Sequence, residues 1–216
     1  MNSSEQICPL CHSPTSNIFH SNNRGRFYAC ESCCLVFLEK SKHLSKEEEL
    51  ERYKLHQNYP NDPGYRRFLM ILLRPLLEVI APESQGLDFG SGPGPTSKII
   101  LEGQGHSVTN YDPFFEPNIS ALKTRYDFVA CSEVVEHFRR PAEEFELLNS
   151  LLKPGGVLGI MTNFLEEGID FANWHYQREP SHLCFYNKYS MYWLSNQFSL
   201  DVEFPAENVA LFYKYK

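Results

Sequence analysis

Residues 86–94 read Gly-Leu-Asp-Phe-Gly-Ser-Gly-Pro-Gly, and this stretch limits the possible fold more than any other in the chain. A short apolar segment runs into the acidic Asp88. A turn with glycine at every second position follows, at Gly90, Gly92 and Gly94, and Pro95 to Glu102 can open and carry a helix. Strand, glycine turn and helix in that order make a site for a nucleotide-like ligand. Glycine has no Cβ to hold the backbone away from a ligand, and the first turn of a helix leaves N–H groups free to donate. Alone, the turn also fits an ordinary strand-to-helix loop, so its reading depends on its surroundings.

The downstream chain supplies them. Ser107 to Tyr111 reads as a second strand and ends in Asp112, 24 positions beyond Asp88. An acidic residue at that place can accept hydrogen bonds from ribose hydroxyls. Only 13 residues separate Asp112 from the next strand, Tyr126 to Cys131. A crossover commonly takes about a dozen residues or more, so one βα unit is predicted to be shortened. Ser132 to Phe138 then falls where a strand gives way to a loop, the usual place for chemistry in an open α/β sheet. Pro141 to Leu152 reads as a helix stopped by Lys153-Pro154-Gly155-Gly156, and Val157 to Thr162 as a buried strand. A long aromatic and polar insert covers residues 163–186, a length that in a compact domain usually serves function. A helix from Tyr189 to Phe198 leads to two strands, 200–204 and 209–213, predicted to pair as an antiparallel hairpin.

Five of the seven cysteines lie in the first 34 residues. Cys8, Cys11, Cys30 and Cys33 form two C-x-x-C pairs with 18 residues between them, a spacing that reads as a structural zinc site. Cys34 could replace Cys33, and His12 or His20 are alternate ligands. The flanking residues read as a short hairpin and a closing strand. So short a module cannot build its own core and needs a metal staple. Cys131 and Cys184 read as small buried apolar residues.

Between the cysteine module and the glycine turn, residues 45–58 read as a charged helix with a Ser45/Glu48 capping box. Residues 66–81 read as a helix apolar on most of its surface and ended by Pro82. Tyr53, His56, Tyr59 and Tyr65 on this connector suit packing or a lid over the ligand. The expected organisation is 1–40, a zinc-binding module; 41–81, a helical connector; and 82–216, the main domain. A net charge of −7 argues against a broad nucleic-acid-binding face, although Arg24/Arg26 and Arg66/Arg67 leave room for local basic patches. The N-terminal residues lack the pattern of a secretory signal and no stretch is long enough to span a membrane, so a cytoplasmic location is expected.

Asp88 to Gly94, Asp112, Tyr126 to Val129 leading into Glu133-Val134-Val135-Glu136-His137, and Leu152 to Gly156 together resemble the class I S-adenosylmethionine-dependent methyltransferases. The likeness is nearest to the branch that includes the ubiquinone-pathway O-methyltransferases, and the cysteine pairs resemble zinc ribbons found ahead of some methyltransferase domains. The resemblance implies an α/β fold: a Rossmann-like, mostly parallel sheet with a C-terminal antiparallel hairpin, a small N-terminal zinc ribbon and a helical connector. It implies that Gly90, Ser91, Gly92 and Gly94 line the cofactor and that Asp88 orients the loop or binds the cofactor's amino group. Asp112 would hold the ribose, and Cys131, Ser132 and Glu133 would lie beside the reactive end. It also associates Glu133, Glu136 and His137 with a divalent metal. In the family, the segment corresponding to 113–125 normally supplies an adenine contact, which its shortness here removes.

The expected reaction is methyl transfer to a small-molecule acceptor. If the acceptor is a hydroxyl, a general base helps, and the candidates are His182, His175 and His137 in that order. Trp174 and Tyr176 would wall the acceptor or fill core. Two other readings compete. A nicotinamide-dependent oxidoreductase would need G-x-G-x-x-G, whereas here the third glycine follows the second after one intervening residue. A non-catalytic zinc-ribbon protein could carry a degenerate methyltransferase-like domain.

Overall fold

The structure is a computed structural model and describes residues 5–55 and 59–215; His56 of the connector lies outside them. Along the chain run β1 (Gln6–Ile7), β2 (Pro14–Thr15), β3 (Ile18–Asn22), β4 (Gly25–Ala29), β5 (Val36–Leu38), α1 (Lys46–Tyr53), α2 (Pro63–Val79), β6 (Gln85–Phe89), α3 (Thr96–Glu102) and β7 (Ser107–Tyr111). After these come β8 (Tyr126–Ser132), α4 (Pro141–Ser150), β9 (Leu152–Met161), α5 (His175–Arg178), β10 (Cys184–Phe185), α6 (Lys188–Phe198), β11 (Leu200–Ala206) and β12 (Val209–Lys214).

The main sheet has the order β11-β12-β9-β8-β6-β7. β9, β8, β6 and β7 run parallel, and β12 and β11 pair antiparallel, as the hairpin at the end of the sequence predicts. Side chains alternate between the two faces. Val129, Cys131, Leu158 and Ile160 pack on one side with residues of α4 and α6. Phe128, Ala130, Val157 and Met161 pack on the other with α2 and α3. The predicted shortening after Asp112 is complete: the connection holds only a 3-10 turn at Ala121–Lys123, and β7 is an edge strand.

Several boundaries differ from expectation, among them the end of α1 at Tyr53, ahead of the expected 58. β9 already begins at Leu152, which pairs with Tyr126, so the Lys-Pro-Gly-Gly stretch lies inside the strand rather than ahead of it. α2 starts earlier than predicted, with Asp62 capping Gly64 N–H at 2.7 Å and Pro63 at the first helical position, where its missing N–H is no loss. It also ends at Val79, ahead of Pro82, and buries one stripe, Leu69, Leu72, Leu73 and Leu76, while Phe68, Ile71 and Val79 stay exposed. α1 starts as predicted, with both bonds of the Ser45/Glu48 capping box present.

Gly86 carries a specific demand of the core. A Cβ there would sit 2.0 Å from Cζ of the fully buried Phe128 ring. Gly86→Ala should therefore lower the melting temperature by roughly 5–10 °C, the effect of about 2–3 kcal/mol of overpacking in a domain of this size. A thermal scan unchanged from wild type would refute this.

The cysteine module is joined to the rest by hydrogen bonds and by core. β3, β4 and β5 form an antiparallel sheet whose fourth strand is β10, with Cys184 opposite Phe37 and Phe185 opposite Val36. One apolar cluster runs from Cys8, Phe27 and Leu35 through Phe171 and Phe185 to Leu158 and Phe212. Among the described residues, no helix is long and apolar enough to cross a membrane.

Candidate active site

A cleft of about 630 Å³ opens at the C-terminal ends of β6, β7 and β8, at the carboxyl ends of the strands where open α/β sheets bind ligands. Its floor is the glycine turn. Gly90 and Gly92 have φ of +78° and +64°, a region that favours glycine. A Cβ on Gly90 would also lie 2.5 Å from a Val134 methyl. The turn is tied down by its own amides. Gly90 and Ser91 N–H both donate to Tyr111 O, and Gly92 N–H donates to Asp112 Oδ2 at 2.9 Å. These three amides are thus engaged across the β6–β7 ends, and this part of the loop meets a ligand by close approach and side chains.

Asp112 is the hub of this tie. Its Oδ1 accepts from Phe114 and Phe115 N–H at 2.8 and 3.0 Å, and its Oδ2 from Gly92. A carboxylate offers about four acceptor positions, so one on Oδ2 remains for a ligand. Asp88 lies beneath the turn, 3% exposed, and burial pushes its carboxyl up to about 7 against the Ser97 hydrogen bond. It anchors the loop to α3 and does not reach the cleft. Cys131 is fully buried, and Gly94 lies off the lining. Of the expected cofactor-binding set, Gly90, Ser91, Gly92, Asp112, Ser132 and Glu133 line the cleft. Ser91 Oγ, Ser132 Oγ and Glu133 Oε1 are buried with no partner. Such atoms cost free energy unless something fills the need. Glu133 sits at φ +53°, and burial, followed by the neighbouring Glu136, pushes its carboxyl up to about 9.

On the side left open by the missing crossover, Tyr111, Phe114, Phe115 and Phe138 present rings to the cleft, with Glu144 from α4 beside them. Burial pushes the Glu144 carboxyl upward. The opposite side is closed by α1 and α2 through Lys46, Glu49, Tyr53, Tyr65 and Phe68. Tyr53 donates to Glu49 at 2.7 Å and sets its ring edge-on to Phe114 and His137. Arg139 holds Glu49 at 2.8 Å. Glu49 and Arg139 have no local signal in the sequence, since the pair joins distant segments.

His137 and His182 meet at the inner end, ring centroids 4.7 Å apart. His137 Nδ1 donates to Ser181 O at 3.0 Å and His182 Nδ1 to Tyr176 O at 2.8 Å. A carbonyl only accepts, so each neutral ring carries its lone pair on Nε2. Both Nε2 atoms face Oε1 of the fully buried Glu136, at 3.9 and 4.0 Å. That oxygen has no hydrogen-bond partner, while Oε2 accepts from Thr162 at 3.0 Å. Three acceptors thus converge with no donor among them. Burial and the nearby His137 press the His182 pKa down to about 3. Glu136, His137 and His182 form the candidate metal-ligand group; Glu133 is not part of it. His175 is exposed and off the cleft, and Tyr176 packs into the aromatic cluster with Trp174 and Phe185. Neither Trp174 nor Tyr176 walls the cleft.

The four cysteines Cys8, Cys11, Cys30 and Cys33 bring their sulfurs within 4.8 Å of one another. The two knuckles are built alike: His12 N–H donates to Cys8 O, Cys34 N–H to Cys30 O, and His12 and Cys34 both have φ of +60°. Cys34 and His12 are thus the turn residues of their knuckles, and His20 packs on Phe27 and Phe171; none of the three joins the cluster. The Cys33 hydrogen bond draws the Cys8 thiol down to about 5 and pushes Cys33 up.

The profile of a methyltransferase domain matches residues 63–203. The ubiquinone biosynthesis O-methyltransferase of Serratia proteamaculans is 34% identical over 71 residues, 33% of this chain and 30% of that protein's length. A SAM-dependent methyltransferase from Archaeoglobus fulgidus superposes with a TM-score of 0.51 at 21% identity, covering 64% of this chain and 71% of that one. The Burkholderia thailandensis 1,6-didemethyltoxoflavin-N1-methyltransferase, with bound 1,6-didemethyltoxoflavin and S-adenosylhomocysteine, gives 0.52 at 14% identity, over 93% of this chain and all of that one. At these identities the structural likeness is one of fold.

Proposed function

This chain belongs to the class I S-adenosylmethionine-dependent methyltransferases, and on that premise we propose that it methylates a small-molecule acceptor held in the cleft beneath α1. The observation that carries the reading is the set of orphaned buried atoms, Ser91 Oγ, Ser132 Oγ and Glu133 Oε1, beside Gly90, where a Cβ would strike Val134. These residues suit the methionine and ribose end of the cofactor. The last acceptor position of Asp112 takes a ribose hydroxyl. Tyr111, Phe114 and Phe115 offer stacking faces for adenine and Glu144 an acceptor for its amino group, a role that the shortened segment after Asp112 is too brief to fill with a strand and helix of its own.

The bound cofactor supplies an electrophilic methyl group on a positively charged sulfur. The protein's part is to hold the acceptor's nucleophile in line and keep water out. For a hydroxyl acceptor, His137 Nε2 takes the proton, and the Glu136 carboxylate stabilises the imidazolium. His182 is too weak a base for that step, with its pKa near 3, and its ring packs edge-on against that of His137. The order expected from sequence is thereby changed: His137 comes first and His175 leaves the set. A second reading, favoured by the three converging acceptors, puts a divalent cation on Glu136, His137 and His182. Cys8, Cys11, Cys30 and Cys33 hold a structural Zn²⁺, since four thiolates leave no open position.

Calorimetric titration of S-adenosylmethionine, S-adenosylhomocysteine and NADH against the purified chain tests this. Binding of the first two and not of NADH is expected. NADH binding alone would support an oxidoreductase, and no binding at all a non-catalytic module. Mn²⁺ titration of wild type and Glu136→Gln separates the cation reading: binding lost in the variant supports it, and none in wild type overturns it.

A further inference from the structure

We propose that the cysteine module braces, from behind, the segment 176–183 that carries the histidine end of the cleft, and that Arg24, on its β3–β4 turn, is the positioning residue for His137 and His182. This rests on the reading of the cleft as the methyl-transfer site.

The Arg24 side chain leaves the hairpin and ends among main-chain carbonyls of the insert. Its guanidinium donates to Gln177 O, to Pro180 O at 2.9 Å and to His182 O at 2.8 Å. A planar group with five donors can bind three carbonyls at once, as a lysine ammonium on its flexible stem cannot in the same geometry. Asn22 aims it. The Asn22 side chain accepts from Arg24 N–H at 2.9 Å and donates to Gln177 Oε1 at 3.1 Å. Burial lowers the Arg24 pKa to about 10, which still leaves it charged at neutral pH.

The same short segment faces the site with its other carbonyls. Tyr176 O and Ser181 O are the acceptors that fix the tautomers of His182 and His137. A second tie runs parallel to the first: Leu38 N–H in β5 donates to Leu183 O, and Leu183 N–H donates to Glu136 O. From α1, Arg52 grips Glu179 through two nitrogens at 3.1 and 2.6 Å. Residues 176–183 are thus held on the outside by the cysteine module and α1, while on the inside they decide which histidine nitrogen carries the lone pair. Without Arg24, three carbonyls lose a charged donor, the turn relaxes, and both rings sample either tautomer.

The test uses the full zinc-loaded chain labelled with ¹⁵N-histidine. In wild type, His137 and His182 should each show one protonated Nδ1 and one bare Nε2. In Arg24→Ala both should move to averaged nitrogen shifts, and amide exchange at residues 181–184 should rise about tenfold, the effect of losing a hydrogen bond to a charged group. Arg24→Lys, with its single reach, should fall between. Zinc content should stay unchanged and S-adenosylhomocysteine affinity should stay within about twofold, since those sites share no partner with Arg24. Fixed tautomers and unchanged exchange in both variants would overturn the proposal. So would loss of cofactor binding together with the tautomers in both, which would make Arg24 a folding residue. Averaged tautomers in a protein whose wild type binds no cofactor would leave the positioning role standing and refute the functional reading instead.

Discussion

Asp112→Ala should raise the dissociation constant for S-adenosylhomocysteine about 100-fold or more, because it removes a charge-assisted acceptor for the ribose and also the anchor of the cofactor loop. The carboxylate now accepts three main-chain N–H groups, from Gly92, Phe114 and Phe115. Alanine leaves all three without a partner at the floor of the cleft. Gly92 then loses its tie, and the two phenylalanines proposed as the adenine platform lose theirs. Asp112→Asn is the sharper test. The amide keeps shape and volume but has one acceptor oxygen, and its nitrogen would present donors to donors, so binding should weaken by at least about tenfold. The fold should survive both changes: the β6–β7 register of five residue pairs and the Gly90 and Ser91 bonds to Tyr111 O do not involve this side chain. Calorimetry decides the binding and a thermal scan checks the fold. An affinity within about threefold of wild type in the alanine variant would remove Asp112 from the cofactor site.

The parts of this architecture that were legible in the sequence are those with local period or spacing. The unbroken apolar runs around Val129 to Cys131 and Leu158 to Ile160 and the two C-x-x-C knuckles each carry their signal within a few residues, and Asp112 follows the Gly90/Gly92 pair at a readable distance. The missing crossover was legible as a simple count between Asp112 and Tyr126. What was not legible depends on contacts between distant segments. β10 is two residues long and has no strand pattern of its own; it exists because β5 offers it a ladder. Arg24 reads as part of a surface basic patch, and only the fold shows its guanidinium among insert carbonyls. The reordering of the histidines proposed above has a related origin. Proton affinity is set by burial and neighbours, and sequence position says nothing of the depth that lowers His182 or of the exposure that takes His175 away from the cleft.

Cys30→Ser should abolish the zinc binding proposed for the cysteine cluster and lower the melting temperature by roughly 6–20 °C, in a single transition. Structural zinc contributes apparent binding energies of about 10–16 kcal/mol in isolated fingers, comparable to the whole stability of about 5–15 kcal/mol of an ordinary domain. Losing even a third of that is about 3–5 kcal/mol, and each kcal/mol moves the midpoint about 2–4 °C at this chain length. The form of the transition follows from packing. The sequence suggests a separable module at 1–40, but its strand β5 pairs with β10 and its Phe27 ring packs against Phe171 and Phe185. The apolar cluster that holds Cys30 continues to Leu158 and Phe212 in the main sheet. Loosening the knuckles therefore exposes the insert and strips one face of that sheet. We accordingly propose that 1–40, 41–81 and 82–216 are segments of one cooperative unit. Differential scanning calorimetry with elemental analysis checks this. Two separate transitions, the upper one at the wild-type midpoint and shifted by S-adenosylhomocysteine, would instead show an autonomous methyltransferase domain with an appended ribbon. In that case the brace that Arg24 supplies behind the histidine segment would be lost without disturbing the cofactor half.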